Sequence, residues 1–421
     1  MKKMVYIPKW SLLKEENNFG VKLGVSLVSF LLLAFTLVHR RSSAFSPLSH
    51  APLLQINSAS PGESINNGET CDFFVGDWVA YEGEPPYNSS CSFIIDPQNC
   101  IKNGRPDTDF LHWTWKPRGC DLPRLDPLKF LQMMRNKSWA FVGDSISRNH
   151  VQSFLCMLST VEEAIQVYHD EDYKSQRWLF PSYNLTASVI WSPFLAKSII
   201  PQNIYSASPS EIDLHLDTLD PSWTDHYNSW DYIVFSTGKW FSRSAIYYDN
   251  NNTILGCHSC SKRNLTELRF DSAYRRVIKR VLDYIITSNH RGSIFYRTNS
   301  PDHFEGKEWY NGGTCSRKEP VQEGEFELSL LDKILREIEM EEFAKAEGRA
   351  NETGVKLRLF DVNMMSLLRP DGHPGVYRFN QPFVRERNGE VVSDCLHWCL
   401  PGPIDSWNHV LMEMIVNGLR A

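Results

Sequence analysis

Five short apolar runs, at 139–143, 187–191, 231–235, 293–296 and 357–360, constrain this chain more than any other feature. Each has the length of a buried strand, and helical patterns lie between them. Leu331, Ile334, Leu335 and Ile338 fall at i, i+3, i+4 and i+7, and an earlier helical pattern runs from Tyr274 to Ile286. Strands alternating with helices predict an α/β fold, with a mainly parallel sheet flanked by helices. Ligands of such sheets gather at the carboxyl ends of the strands. Here those ends are Gly143-Asp144-Ser145, Ser192-Pro193-Phe194, Ser236-Thr237-Gly238-Lys239-Trp240 and Arg297-Thr298-Asn299-Ser300-Pro301.

The first of these ends carries the nucleophile candidate. Trp139-Ala140-Phe141-Val142 reads as a strand, Gly143 as its tight exit, and a helix is predicted from Ser147 onward. A serine in that turn exposes its hydroxyl at the sheet edge, beside backbone N–H groups able to hold an oxyanion. Alone, Ser145 also reads as a helix cap, so a base is needed. Asp394-Cys395-Leu396-His397 supplies one: a carboxylate three residues before an imidazole can fix its tautomer and leave the other ring nitrogen for Ser145. The competing reading of that stretch is a capped turn with His397 packed on Trp398.

Residues 1–22 carry Lys2, Lys3, Lys9, Lys14 and Lys22, and precede an uncharged apolar run. Residues 23–39 are expected to be a transmembrane signal anchor with 1–22 as a cytoplasmic tail, because basic residues stay on the cytoplasmic side. A cleaved signal peptide ending near Ala44 is the alternative. Residues 40–70, rich in Ser, Pro, Asn and Gly, read as a flexible stem. The lumenal domain is expected over 71–421, with a Cys-rich segment at 71–137 and the α/β core at 138–421. Six Asn-x-Ser/Thr sequons, at Asn88, Asn136, Asn184, Asn251, Asn264 and Asn351, agree with a lumenal setting. So do ten cysteines, all beyond the anchor. Cys257-His258-Ser259-Cys260 reads as a local disulfide rather than half of a zinc site, and no metal is expected. A net charge of −6 and no basic cluster argue against a nucleic-acid partner. Thirteen Trp tilt the reading towards a carbohydrate ligand.

Longer stretches narrow the picture. Cys71-Asp72-Phe73-Phe74-Val75-Gly76-Asp77-Trp78, Asn103-Gly104-Arg105-Pro106-Asp107, Trp115-Lys116-Pro117-Arg118-Gly119-Cys120-Asp121-Leu122-Pro123, Asp371-Gly372-His373-Pro374-Gly375 and Asp394-Cys395-Leu396-His397-Trp398-Cys399-Leu400-Pro401-Gly402 occur in order. With Gly143-Asp144-Ser145, they resemble the plant trichome birefringence-like family within the SGNH, or Gly-Asp-Ser, esterase superfamily. The resemblance covers 71–421. It implies an SGNH-esterase-like fold with a disulfide-rich N-terminal minor lobe, in a single-pass type II Golgi membrane protein that O-acetylates cell-wall polysaccharide. The family's serine, histidine and aspartate fall on Ser145, His397 and Asp394. Its disulfides imply Cys71 to Cys120, Cys91 to Cys156, Cys100 to Cys399 and Cys315 to Cys395, leaving Cys257 and Cys260 for each other.

The chain departs from the family at Ser236-Thr237-Gly238-Lys239-Trp240, where many members carry Asn or Ser first and His fourth. The expected oxyanion donors are therefore the N–H groups of Ser145 and Gly238, or a nearby side chain. Arg148, Lys239 and Arg297 read first as surface or structural charges and second as groups binding donor or glycan; Asp144 is an oxyanion or binding candidate, and His373 reads first as part of a tight turn. The resemblance implies acetyl transfer through an acetyl-serine to a hemicellulose, xyloglucan before mannan. No bound cofactor is expected. The acetyl donor is acetyl-CoA or an acetylated carrier, and a membrane acetyl-donor transporter is a candidate partner. The rival readings are a carbohydrate acetylesterase with the same triad and a non-catalytic glycan-binding protein.

Overall fold

The computed structural model describes residues 71–420, apart from 205, 207–209, 250, 251, 261–263, 309, 310 and 384–391. The expected tail, span and stem over 1–70 and the sequon at Asn251 lie outside the described residues. No helix among the described residues is long and apolar enough to cross a membrane. The five other sequon asparagines are exposed.

Elements are numbered in chain order. The N-terminal segment forms an antiparallel pair, β1 (Gly76–Ala80) with β2 (Trp113–Pro117). It is pinned by Cys71–Cys120 and tied outward by Cys91–Cys156 and Cys100–Cys399. Trp78 Nε1 adds a 2.9 Å bond to the carbonyl of Met365.

The main sheet has seven strands in the order β13-β12-β9-β3-β6-β5-β4. Five are parallel: β3 (Ser138–Gly143), β6 (Leu185–Trp191), β9 (Tyr232–Phe235), β12 (Ser293–Arg297) and β13 (Lys356–Phe360). These are the five apolar runs. An antiparallel hairpin of β4 (Ile165–His169) and β5 (Gln176–Phe180) extends the β6 edge.

Strand side chains alternate between faces, so each apolar run feeds two cores. Trp139 and Phe141 of β3 face one core, with Phe154 and Leu155 of α2 (Ser145–Leu158) and Val410 and Leu411 of α7 (Asp405–Arg420). Ala140 and Val142 face the other, with Val277, Val281 and Ile285 of α4 (Phe270–Thr287) and Leu335 and Ile338 of α5 (Leu330–Thr353). Trp139 stacks on Tyr232 of the next strand at 4.5 Å. Full burial of each large apolar side chain contributes about 1.5–3 kcal/mol, so β3, closed on both faces, is a rigid mount for whatever follows Gly143.

A second, four-stranded sheet, ordered β11-β10-β8-β7, was not anticipated from the sequence. It comprises β7 (Ala196–Ile199), β8 (Ile212–Leu219), β10 (Ala245–Asp249) and β11 (Thr253–His258). One expectation falls here: Cys257 and Cys260 are free thiols. The turn through Ser259, at φ 54°, aims the Cys260 thiol at the carbonyls of Ala245 and His258. Burial and the neighbouring Cys257 push that thiol up to about 12, so it stays protonated. The other four expected disulfides are formed.

Candidate active site

The exit of β3 is shaped by what it must pass. A Cβ on Gly143 would collide with the Ser236 carbonyl and the Ser147 hydroxyl, so only glycine lets β3 and β9 lie this close. Gly143 then accepts a 2.8 Å bond from Ser192 N–H, and Ser236 N–H donates to Val142 at 3.0 Å. Helix α2 begins at Ser145, earlier than predicted, because Asp144 caps it: Asp144 Oδ1 accepts from Ile146 N–H at 2.9 Å. The capping duty therefore belongs to Asp144. Ser145, half-buried, keeps a hydroxyl with no hydrogen-bond partner among the described residues. Burial raises the Asp144 carboxyl above its usual range, opposed by the charges of Arg297 and His397.

Asp394 and His397 form the expected pair. His397 Nδ1 lies 2.9 Å from Asp394 Oδ2 and 3.1 Å from Oδ1, and its backbone N–H donates to Oδ1 at 3.0 Å. A carboxylate can only accept, so Nδ1 carries the proton, and in the neutral ring Nε2 presents a lone pair. Burial pushes the Asp394 carboxyl up, but the His397 charge and hydrogen bonds outweigh it and hold it well below the usual carboxylate range.

The turn bearing this pair is clamped on every side. Gly375 N–H donates to the Asp394 carbonyl at 2.9 Å, and Asp394 N–H returns a bond to Gly375 at 3.0 Å. Cys399 N–H reaches the Gly372 carbonyl and His303 N–H the Cys395 carbonyl, both at 2.9 Å. Disulfides hold Cys395 to Cys315 and Cys399 to Cys100. His373 Nδ1 lies 2.7 Å from the carbonyl of His397 itself.

Asn149, one helical turn beyond Ser145 on α2, joins the two halves. Its Oδ1 accepts from Trp398 N–H at 2.7 Å and its Nδ2 donates to the Trp398 carbonyl at 3.3 Å. The residue after His397 is thus fastened to the helix that begins at Ser145, and the Asp144 carboxylate feels the His397 charge. The Ser145 hydroxyl and His397 Nε2 make no bond to each other; neither is otherwise engaged among the described residues. Such contacts are often loose before substrate arrives. Gly238 N–H, three residues past β9, also donates to no protein group among the described residues, leaving it available to an oxyanion.

The cations predicted as binding groups separate. Lys239 is mostly buried, its side chain 14% exposed, and its Nζ is bound to Asp302 at 2.8 Å and Asp332 at 2.5 Å, so its charge is already paired within the fold. Arg297 is buried too; it donates to the Ser236 hydroxyl at 2.8 Å and the Ile146 carbonyl at 3.4 Å, bracing the turn from beneath. Burial brings its guanidinium down to about 10. Arg148 stays half-buried on α2, three residues past Ser145, with its guanidinium 5.8 Å from the centre of the half-buried Trp191 ring. Asn149, His303, Asp332 and Glu339 were missed. Only Asn149 had a legible signal, its i+4 position on the helix from Ser145.

Residues 122–414 match the model of a GDSL/SGNH-like acyl-esterase family found in Pmr5 and Cas1p, and residues 69–121 match the PMR5 N-terminal domain. Protein trichome birefringence-like 23 of Arabidopsis thaliana is 48% identical over 97% of this chain and 98% of its own length. The chain belongs to the trichome birefringence-like family. Other relatives of this trichome birefringence-like chain include Xyloglucan O-acetyltransferase 1 of Populus trichocarpa, 43% identical over 86% of each chain. The Arabidopsis thaliana protein of that name is 42% identical over 84% of this chain and 82% of its own.

Proposed function

We propose that this trichome birefringence-like protein is a polysaccharide O-acetyltransferase that moves acetyl groups onto hemicellulose hydroxyls, xyloglucan first and mannan second. The observation that carries this reading is the Asp394–His397 pair, fastened through Asn149 and Trp398 to the helix that begins at Ser145. The names of the two xyloglucan O-acetyltransferase relatives supply the acceptor class.

The reaction is a double displacement. His397 Nε2 takes the Ser145 hydroxyl proton as Oγ attacks the acetyl carbonyl of the donor. The N–H groups of Ser145 and Gly238 hold the oxyanion. When it collapses, the bond to the donor's leaving group breaks, that group takes the proton from His397, and acetyl-serine remains. A sugar hydroxyl then gives its proton to Nε2 and attacks the acetyl carbon; the C–Oγ bond breaks and Ser145 regains a proton. Arg148, three residues past Ser145, and Trp191 beside it are the groups we assign to contact the acceptor. The donor is acetyl-CoA or an acetylated carrier, supplied in the lumen by a membrane transporter. The setting is the Golgi membrane in type II orientation, with the catalytic domain in the oxidising lumen where its four disulfides form.

The test is product analysis with an acetylated donor and xyloglucan or mannan oligosaccharides. Acetylated sugar that disappears in Ser145→Ala is the expected result. Free acetate with no acetylated sugar would replace transfer by hydrolysis.

A further inference from the structure

Behind the DxxH turn lies a pair of buried histidines whose hydrogen bonds do not balance if both rings are neutral. His303 Nε2 is 2.9 Å from the carbonyl of Leu367, and His373 Nδ1 is 2.7 Å from the carbonyl of His397. Carbonyls only accept, so both of these nitrogens carry protons. The two remaining nitrogens, His303 Nδ1 and His373 Nε2, face each other at 2.6 Å. In two neutral rings they would be opposed lone pairs at a distance that only a hydrogen bond sustains.

We propose that His303 and His373 share a third proton, and that this singly charged pair is a positioning device for His397. Four ring nitrogens then hold three protons. The chain of bonds runs from the Leu367 carbonyl through both rings to the carbonyl of His397. This role rests on the reading of His397 as the general base.

The surroundings accept one charge and refuse two. Trp398 stacks on the His373 ring with centroids 4.3 Å apart, giving the cation an aromatic face. Asp332 and Asp371 favour charge on His303 while Lys239 opposes it, and Asp394 favours charge on His373 while His397 opposes it. Two of these carboxylates have nearer cations, Asp332 with Lys239 and Asp371 with Arg369. Arg105 also lies close, donating to the His373 carbonyl at 3.0 Å. Burial pushes both rings towards neutrality, His303 to about 4, and each opposes charge on the other, so the shared proton is held against these pulls by the 2.6 Å contact; a second would set two N–H groups against each other there. The single shared proton is held by geometry, between two nitrogens with no other group to face.

Loss of that proton at high pH would set the lone pairs against each other, part the rings and draw His373 away from the His397 carbonyl. Activity therefore falls on the alkaline side through a group that is not the base.

Two measurements on the full chain decide this. In protein labelled with nitrogen-15 at histidine, NMR at a pH of full activity should find three of the four ring nitrogens of His303 and His373 protonated; two would overturn the proposal. The second is the pH profile of acetyl-enzyme formation from p-nitrophenyl acetate. In His303→Gln the amide N–H can still donate to His373 Nε2, without a titrating proton. Its rate near neutral pH should fall by no more than about tenfold, the weight of one net hydrogen bond. Its alkaline limb should vanish or move by at least about one pH unit, a tenfold change in proton affinity. An alkaline limb superimposable on that of the wild type overturns the proposal. The NMR result involves no sugar acceptor, so failure of acetyl transfer would leave it standing.

Discussion

Asn149 Oδ1 accepts the Trp398 N–H at 2.7 Å, and this bond spans 249 positions of sequence to bring the helix of Ser145 to the turn of His397. Asn149→Ala removes it together with the 3.3 Å bond from Nδ2, leaving a buried N–H and carbonyl unpaired. We expect a loss of about 1–3 kcal/mol in denaturant unfolding for each group left unsatisfied. The rate of acetyl-enzyme formation should fall further than stability explains, when compared at a temperature where both proteins are folded.

Asp394→Asn keeps the shape of the pair but lets the side-chain amide donate, favouring the wrong tautomer of His397. By the logic of triads elsewhere, turnover should drop by about 10⁴-fold with the fold intact. The substitution also has an acid signature. Because the folded-state pKa of Asp394 is depressed, its stabilisation is complete well above the unfolded value of about 3.9 and is lost as pH falls through and below it. Acid titration of the melting temperature should show that loss in the wild type and a shallower one in the variant.

Lys239 distinguishes a binding cation from a structural one. Lys239→Met leaves Asp302 and the fully buried Asp332 without their partner, at a cost of about 3–5 kcal/mol. The KM for the acetyl donor should stay unchanged in the folded fraction. A raised donor KM without destabilisation would return Lys239 to the binding site.

Glu339 accepts from the Asn299 N–H at 3.0 Å and from the Tyr274 hydroxyl at 2.7 Å, next to the loop that carries Gly238. Burial raises it to about 8. Between its unfolded value of about 4.3 and that point the native state binds the extra proton, so stability declines as pH rises. Thermal melts from pH 5 to 8 should show this decline, by a few kcal/mol in all. Glu339→Gln should flatten it.

Elements whose signal is local were read from the sequence. Four of the five parallel strands announced themselves because both faces are buried, giving continuous apolar runs, whereas β13, at the sheet edge, is interrupted by the half-buried Arg358. The second sheet did not: Ile212-Asp213-Leu214-His215-Leu216 alternates, and its partners β7, β10 and β11 are short and mixed in polarity. Ser145, Asp394 and His397 stood out because the chemistry needs those residue types close together or at a strand exit. Asn149 and His303 did not, since each acts by touching the backbone of a turn far along the chain. Lys239 reads more readily as a structural charge than as a binding cation, but its two carboxylates, at 302 and 332, are distant in sequence and so were not identifiable.

Cys100 and Cys399 are separated by 299 positions, and their bond fastens the end of the His397 turn to the N-terminal lobe. The bond thus joins a residue ahead of Ser145 to one two positions past His397. On the proposed reading, that bond makes the placement of His397 conditional on oxidation as well as on folding. With Ser145 as the nucleophile, the chain would then be catalytically silent wherever its cysteines stay reduced.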